Sequence, residues 1–255
     1  MAKQGFMGKV KGTIGDVTFY RGKKNGGKGA DLVKGKGGVD RKTILNSPNF
    51  ARTRENMSEF AASGLAAKGL VNVTDAVISG CKDSQFQGRL TKAFRTNISK
   101  DVTNERGSRV LQLDLLVEDL KGLQTNNKKG FNSTYFGKVT SSAIAAGTAP
   151  EVTVEAVVPM YDVSQPANAT HYKLQVAHAS ATDTDGINWE RGIAESDFIS
   201  VTAGLQATTI VPSPLVSGGI SDVIFVAIKY YQEVNGTKVA FNNKSYNSAF
   251  VLEVA

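Results

Sequence analysis

Residues 222–240 read DVIFVAIKYYQEVNGTKVA, and this stretch decides the fold of the C-terminal half of the chain. The apolar and aromatic residues of Asp222–Tyr231 are typical of a strand in a sheet. Asn235-Gly236 follows, and this dipeptide is the strongest short hairpin signal, because both residues tolerate positive φ angles. Thr237–Phe241 then has the composition of a second strand. The stretch therefore predicts an antiparallel β-hairpin.

Further strand candidates surround this hairpin. Val152, Val154, Ala156 and Val158 alternate along the chain, as expected when one face of a strand is buried. The remaining candidates are Tyr172–Val176, Phe198–Val201, Gln206–Val211 and Ala249–Val254. About seven short strands separated by turns predict an antiparallel β-sandwich over residues 131–255.

Residues 47–130 have a helical pattern instead. Ser47-Pro48 is typical of a helix start, because serine caps the first N–H groups and proline fits the first helical position. Four large apolar residues recur every fourth position and predict an amphipathic helix that opens at Ser84. They are Phe86, Leu90, Phe94 and Ile98. Ser108–Leu123 is compatible with a buried helix or a strand, and Thr125–Gly130 with a linker.

Positive charge is concentrated towards the N-terminus. Of 30 Lys and Arg residues, 24 lie in residues 1–130 beside 12 acidic residues, whereas residues 131–255 hold 6 basic and 11 acidic residues. Residues 1–46 carry a net charge of +8, and residues 1–40 contain 11 of the 26 glycines. We therefore expect a basic, glycine-rich arm over residues 1–46, with one short β element around Ile14, Val17 and Phe19.

Basic residues in and after this arm are the candidate binding residues. Neutralising several phosphates releases counterions, so such residues favour nucleic acid without regard to its sequence. Few aromatic residues lie among them, so base stacking is not expected as the main mode. Nucleic-acid binding, docking on the acidic part of another copy, and plain solubility all remain open. The candidates are Lys23, Lys24, Lys28, Lys34, Lys36, Arg41, Lys42, Arg52 and Arg54.

No catalytic or cofactor-binding pattern accompanies this charge. His171 and His178 are the only histidines, and their spacing of seven puts them on opposite faces of one strand, which disfavours a shared metal. Thr182–Gly186 lacks the ligand spacing and the closing glutamate of a calcium loop. Phosphate-loop and nucleophile-elbow motifs do not occur. We expect no enzyme activity, no metal, no cofactor and no small-molecule substrate.

The expected compartment follows from the termini and the cysteine content. No apolar segment follows Met1–Gly5, so no signal peptide is expected, and the longest apolar runs are too short for a bilayer. Cys81 is the only cysteine, which excludes an internal disulfide and fits a reducing compartment. We expect no membrane partner.

Three segments carry a resemblance to a known group. Residues 11–20 read KGTIGDVTFY, residues 46–56 read NSPNFARTREN after Gly37-Gly38-Val39-Asp40, and residues 230–236 read YYQEVNG. Together they resemble uncharacterised proteins from Bacteroidetes genomes and their mobile elements, phages included. That group has a short β opening, a basic loop, a helix start and a β-rich C-terminal half. The resemblance spans most of the chain, transfers no activity, and makes a metabolic enzyme less expected.

The combined expectation is an α+β protein with a basic arm (1–46), a helical region (47–130) and a β-sandwich (131–255). Its expected role is that of a self-assembling capsid or tail subunit, made in a bacterial cytoplasm and located in a virion. The arm would contact nucleic acid or neighbouring subunits of a homo-oligomer. The first alternative is a nucleoid-associated, non-specific DNA-binding protein that forms no particles. The second is an enzyme whose site is assembled from scattered residues.

Overall fold

A computed structural model describes residues 3–4, 10–22, 29–144, 148–215, 219–241 and 246–255. The described residues include both helices and antiparallel strands, so the predicted α+β class is confirmed. The chain divides into two compact units, Met1–Arg54 and Glu55–Ala255.

The N-terminal unit contains an antiparallel sheet of short strands. The strands pair in chain order and are β1 (Lys3–Gln4), β2 (Val10–Ile14), β3 (Val17–Arg21) and β4 (Asp31–Gly35). Gly15, between β2 and β3, has a φ of +56°, which glycine adopts without the steric cost of a Cβ. The predicted β element is therefore confirmed as a hairpin inside a larger sheet.

Short helical turns follow this sheet. Helix α1 (Arg41–Asn46) begins after Asp40, whose carboxylate accepts a hydrogen bond from the backbone N–H of Lys42. Pro48 occupies the first position of a 3-10 turn, as predicted, although the Ser47 side chain makes no capping hydrogen bond. Helix α2 (Ala51–Ile78) begins directly after this turn.

The helical middle is also confirmed. Helix α3 (Phe86–Ile98) buries all four predicted apolar residues, which lie on one side of the helix because they recur every fourth position. The leucine-rich segment that follows holds a 3-10 turn at Leu113–Leu115 and helix α4 (Leu116–Leu120), so it is helical rather than extended. A 3-10 turn at Phe131–Ser133 and helix α5 (Pro159–Asp162) complete the described helices.

The C-terminal part is a curled antiparallel sheet with a smaller three-stranded sheet. All seven predicted strands are present, and two further ones, β5 and β8, were not predicted. The strands are β5 (Val139–Ser141), β6 (Val152–Val157), β7 (His171–Ala181), β8 (Trp189–Glu195), β9 (Ile199–Ser200), β10 (Gln206–Ile210), β11 (Asp222–Val234), β12 (Thr237–Ala240) and β13 (Ser248–Val254).

Strand β11 is the centre of the larger sheet. One of its edges pairs with β7, and the other pairs with β13 and then with β12. The β11–β12 turn has φ angles of +50° at Asn235 and +79° at Gly236, which confirms the predicted hairpin. The β6 strand lies between β5 and β10 in the smaller sheet.

Both faces of β11 are buried. Val223, Phe225 and Ala227 belong to the core that also contains apolar residues of α2, α3 and α4. Ile224, Val226 and Ile228 belong to a second core, which also contains residues of β6 and β10. A strand buried on both faces has no polar side, which explains the continuous apolar run at 223–228.

None of the helices in the described part of the chain combines the length and the apolar character that a bilayer crossing requires.

Candidate interface of the N-terminal unit

The N-terminal sheet has two chemically different sides. Phe19 pairs with Gly12 and Val33, and Val17 pairs with Ile14 and Gly35. Residues directly opposite each other on paired strands point to the same side of a sheet, and alternate residues of one strand share a side. We call one side the apolar face; its large side chains are Val10, Ile14, Val17, Phe19 and Val33.

The apolar face is exposed. Ile14 and Val33 are 56% and 61% exposed, and none of the described residues of Met1–Arg54 is buried. The charged residues on this side form a pair at one end, where Arg21 Nε lies 3.9 Å from Asp31 Oδ1. Their charges cancel, so the described part of the apolar face has no net charge.

The opposite side, which we call the polar face, carries hydroxyl and ammonium groups. Its residues are Lys11, Thr13, Thr18, Tyr20, Leu32 and Lys34. The Oγ1 atoms of Thr13 and Thr18 lie 3.1 Å apart across β2 and β3. Lys34 Nζ lies 5.3 Å from the centroid of the half-exposed Tyr20 ring, in cation–π contact. Exposed ammonium groups beside an exposed ring are suited to phosphate and base contacts.

The predicted binding residues lie in different parts of the N-terminal unit. Lys34 lies on the polar face, and Lys36 is exposed just after β4, where its backbone N–H donates to Asp16 O at 2.6 Å. Arg41 and Lys42 are exposed in the first turn of α1, where the helix dipole disfavours positive charge. The positive charges of Arg41 and Lys42 therefore do not stabilise α1. Lys23, Lys24 and Lys28 lie outside the described residues.

The two predicted arginines of α2 differ. Arg52 is exposed. Arg54 is partly buried, and its Nη1 atom donates to the carbonyl oxygens of Ile44 and Ser47, each at 2.8 Å. Ile44 O lies four residues before Pro48, which has no N–H to donate, whereas Ser47 O also accepts from the Phe50 N–H at 3.1 Å. Arg54 therefore supports the chain between α1 and α2 in addition to adding charge.

Two arginines of α3 make internal contacts. Arg89 Nη1 lies 3.0 Å from both carboxylate oxygens of Asp83, and Arg95 Nη2 lies 2.5 Å from Glu59 Oε2. Burial acts to raise the pKa of Asp83, but hydrogen bonds from the Asn127 and Gln85 backbones and from Arg89 lower it overall. The positive charge of α3 at these positions is therefore largely compensated within the unit.

A buried histidine–carboxylate pair lies in the larger sheet. His178 Nε2 is 2.8 Å from Asp222 Oδ1, and the histidine side chain is only 3% exposed. Burial raises the pKa of Asp222, but the hydrogen bond from His178 and the nearby Ser180 hydroxyl outweigh it and hold this pKa below its ordinary value. His171 lies on the same strand, β7, at a spacing of seven, and thus on its opposite side, as predicted. The two histidines are not brought together.

Cys81, the only cysteine, is fully buried. Burial raises the pKa of its thiol to about 12, a direction opposite to that of a catalytic cysteine. A buried free cysteine of this kind behaves as a small core residue.

The polar face itself was not predicted, because the basic residues were grouped by composition rather than by the side of the strand on which they lie. The signal was present in β3, where Val17, Phe19 and Arg21 alternate with Thr18 and Tyr20. A period of two separates the two faces of a strand, so this alternation places Tyr20 on the side opposite Phe19. Assigning Lys11 and Lys34 to the side of Tyr20 needs the pairing register as well.

Among the described residues, no group of three or more His, Cys, Asp or Glu side chains is placed to hold a metal ion. The chain matches no family model, and no curated protein or solved structure matches it significantly.

Proposed function

We propose that this chain is a non-enzymatic, self-assembling structural protein of a virion or mobile element, such as a capsid or tail subunit. Its N-terminal arm contacts nucleic acid or neighbouring subunits. The exposed apolar face carries this proposal, because apolar burial is the dominant favourable term in association and this face is left exposed within one chain. Assembly of identical subunits supplies a covering surface for every copy.

The division of charge supports contacts between copies. Residues 1–46 carry +8, whereas residues 131–255 carry −5. Opposite charges at the two ends of one chain steer copies together and favour one orientation over others. The same positive charge also suits a packaged polyanion. The protein would then be made in a bacterial cytoplasm and located in the virion, in line with the resemblance to mobile-element proteins.

A β-sandwich is the finer fold that we propose for residues 131–255. Val152 and Val154 of β6 share a buried cluster with Leu174 and Val176 of β7, as two sheets packed face to face would do. An experimental structure with the two sheets about 10 Å apart would support the sandwich. A single continuous sheet through β5, β6 and β10 would contradict it.

The carboxyl groups support a non-catalytic role. Four described carboxyl groups have a clearly shifted pKa, and in each the shift is downward; these are Asp83, Asp101, Glu195 and Asp222. A general acid that works near neutral pH needs the opposite shift. Each of the four accepts hydrogen bonds from neighbouring groups, which is the ordinary cause of a lowered pKa in a structural ion pair or turn.

Particle formation is the direct test. The purified full chain is analysed by size-exclusion chromatography with light scattering and by negative-stain microscopy, over a range of protein and salt concentrations. We expect particles, rings or filaments whose mass is a multiple of 27.1 kDa. A protein that stays monomeric or dimeric at all concentrations would contradict the structural role.

The polar face favours a second candidate function, non-specific DNA binding without particles. Lys11 and Lys34 are exposed beside Tyr20, which is a suitable arrangement for phosphates and an adjacent base. If these residues bind DNA, Lys11→Gln and Lys34→Gln should each reduce the magnitude of the slope of log affinity against log salt by about 0.9. Lys138→Gln, an exposed lysine of the C-terminal unit, is the matched control. Equal slopes for all three variants would place the contacts elsewhere.

A further inference from the structure

We propose that the apolar face of the N-terminal sheet is a self-association surface, on which the same face of a second copy packs. The polar faces of both copies then point outward. This inference rests on the self-assembly proposed above and names the surface through which two arms meet.

The absence of net charge on the apolar face makes it the side of the sheet on which a second arm can pack. Two arms of +8 repel each other unless the surfaces in contact are neutral. The apolar face meets this condition, because Arg21 and Asp31 are its charged residues within the described part and they oppose each other. An acidic protein or a nucleic acid would instead be drawn to the polar face, where Lys11 and Lys34 lie.

Distance removes the remaining repulsion. Two sheets packed face to face lie about 10 Å apart, so lysines on their outer sides would be separated by roughly 20 Å. That separation exceeds the Debye length of about 8 Å at physiological ionic strength. Packing through the apolar faces therefore keeps Lys11 and Lys34 of one copy screened from the same residues of the other.

The shape of the apolar face, with large side chains next to glycine positions, suits a two-fold symmetric contact between two copies. Gly12 pairs with Phe19, and Gly35 pairs with Val17, so positions without a side chain adjoin the large side chains of β3. In an isologous contact each copy offers both the projecting residue and the space beside it. Phe19 of one copy can then fill the space left by a glycine of the other, as interdigitating side chains do between the sheets of a sandwich.

The size of the face predicts how strong this contact is. Strands of five residues span about 17 Å, and three strands about 5 Å apart cover roughly 250 Å² in each copy. Two such faces fall below the roughly 1,200–2,000 Å² of a stable interface. The contact is therefore weak between free chains and becomes populated when other subunit contacts raise the local concentration.

Thiol cross-linking tests the contact with a matched pair of variants. Val33→Cys lies on the apolar face, and Leu32→Cys is its neighbour on the polar face; both replace an exposed aliphatic residue of β4. Cys81 is buried, so each new thiol is the accessible one. With a bismaleimide of about 10 Å reach, we expect covalent dimers from Val33→Cys and at least fivefold fewer from Leu32→Cys. Equal yields from the two variants would overturn the proposal.

Polar substitution at the same two positions tests the contact without a cross-linking reagent. Val33→Asn should raise the protein concentration needed for assembly about tenfold, because a buried aliphatic side chain contributes on the order of 1.5 kcal/mol. Leu32→Asn should change that concentration less than twofold. Circular dichroism confirms that both variants fold.

The two proposals fail in different ways. If the wild-type chain forms particles but Val33→Cys yields no excess of dimers, the apolar face is not the contact and the structural role stands. If Val33→Cys cross-links selectively in a chain that forms no particles, the face is a self-association surface and the virion role is wrong. If the wild-type chain is monomeric and neither variant cross-links, both proposals are overturned.

Discussion

Asp222, the first residue of β11, connects this strand to β7 and to the residue that follows β13. Its backbone N–H donates to Ala255 O, its backbone O accepts from the Ala255 N–H, and its carboxylate lies against His178 of β7. The side chain is 16% exposed, so water supplies little of its solvation. An uncompensated carboxylate at such a position would be costly, and the hydrogen bond from His178 offsets that cost.

At this scale we predict the effect of Asp222→Asn. Hydrogen bonding holds the folded-state pKa of Asp222 below its ordinary value, so the ionised form stabilises the fold above about pH 3.8. This contribution is lost as the pH falls through the lower folded-state pKa. At pH 7 the substitution should reduce the free energy of unfolding by about 1–3 kcal/mol, measured by urea titration.

The difference between Asp222→Asn and the wild type should shrink as the pH falls below about 4, because the wild type then loses the same charge. Asp185→Asn, at an exposed turn position, is the control and should stay within about 0.5 kcal/mol of the wild type. A difference that stays constant down to acidic pH would show that the charge of Asp222 is not what stabilises the sheet.

At the element scale, helix α2 packs by bringing its backbone close to another segment. Gly69 allows this approach, because a Cβ at that position would lie 2.2 Å from Ile187 O, just before β8. Gly64 belongs to the same helix, and a Cβ there would meet nothing within 4 Å. Two glycines of one helix thus have different roles, one in close packing and one at an open position.

These glycines predict opposite effects of one substitution. Gly64→Ala should stabilise the chain by about 0.5–1 kcal/mol, because alanine loses less backbone freedom in a helix. Gly69→Ala should destabilise it by about 1–3 kcal/mol, because the added methyl forces the helix away from Ile187. Urea unfolding of both variants measures the two changes. Stabilisation by Gly69→Ala would contradict the close approach.

The α2–α3 contact contains a buried ion pair with a testable energy. Glu59 is fully buried, and its carboxylate accepts from the Gly107 N–H at 2.7 Å while it pairs with Arg95. Arg95→Met leaves this carboxylate without its cation, so we expect a loss of about 3–5 kcal/mol in the free energy of unfolding. Lys82→Met, which breaks the exposed pair with Asp75, should cost less than about 1 kcal/mol.

The double variant Glu59→Met/Arg95→Met completes this comparison. It removes the buried charge together with its partner, so it should be more stable than Arg95→Met alone. A double variant that is less stable than Arg95→Met would mean that packing around Glu59, rather than its charge, holds the two helices together.

At the scale of the whole molecule, the two units differ in how they use apolar residues. Glu55–Ala255 contains the buried clusters on both sides of β11, whereas the described residues of Met1–Arg54 are exposed or half-buried. Apolar burial is the dominant favourable term in folding. The C-terminal unit therefore has its own source of stability, whereas the described residues of the N-terminal unit bury little apolar surface.

Deletion of residues 1–46 tests this difference. The shortened chain should unfold within about 3 °C of the full chain in differential scanning calorimetry, because no described residue of the deleted segment is buried. It should also lose the particles that we propose for the full chain. A fall of more than about 10 °C in the unfolding temperature would mean that the C-terminal unit depends on the arm for its own stability.

The sequence predicted many of the local elements because their signals are local. Asn235-Gly236 favours its turn through its own φ angles, and the i, i+4 spacing of Phe86–Ile98 defines one side of a helix. Strand β8 was missed, because Gly192 and the charges of Trp189–Glu195 interrupt any alternation. The candidate site was predicted only in part: the basic residues were named, but their division between two faces depends on pairing register.

The apolar run 223–228 by itself determined that β11 would be a buried strand, since six consecutive apolar residues leave no side for water. It did not determine what covers each side. That depends on residues far apart in the chain: Leu70 and Leu90 share a core with Phe225, and Val152 and Ile210 share the other core with Val226. Only the tertiary structure places helices against one face and β6 and β10 against the other, because apolar burial is non-directional and any apolar surface of suitable shape can satisfy it.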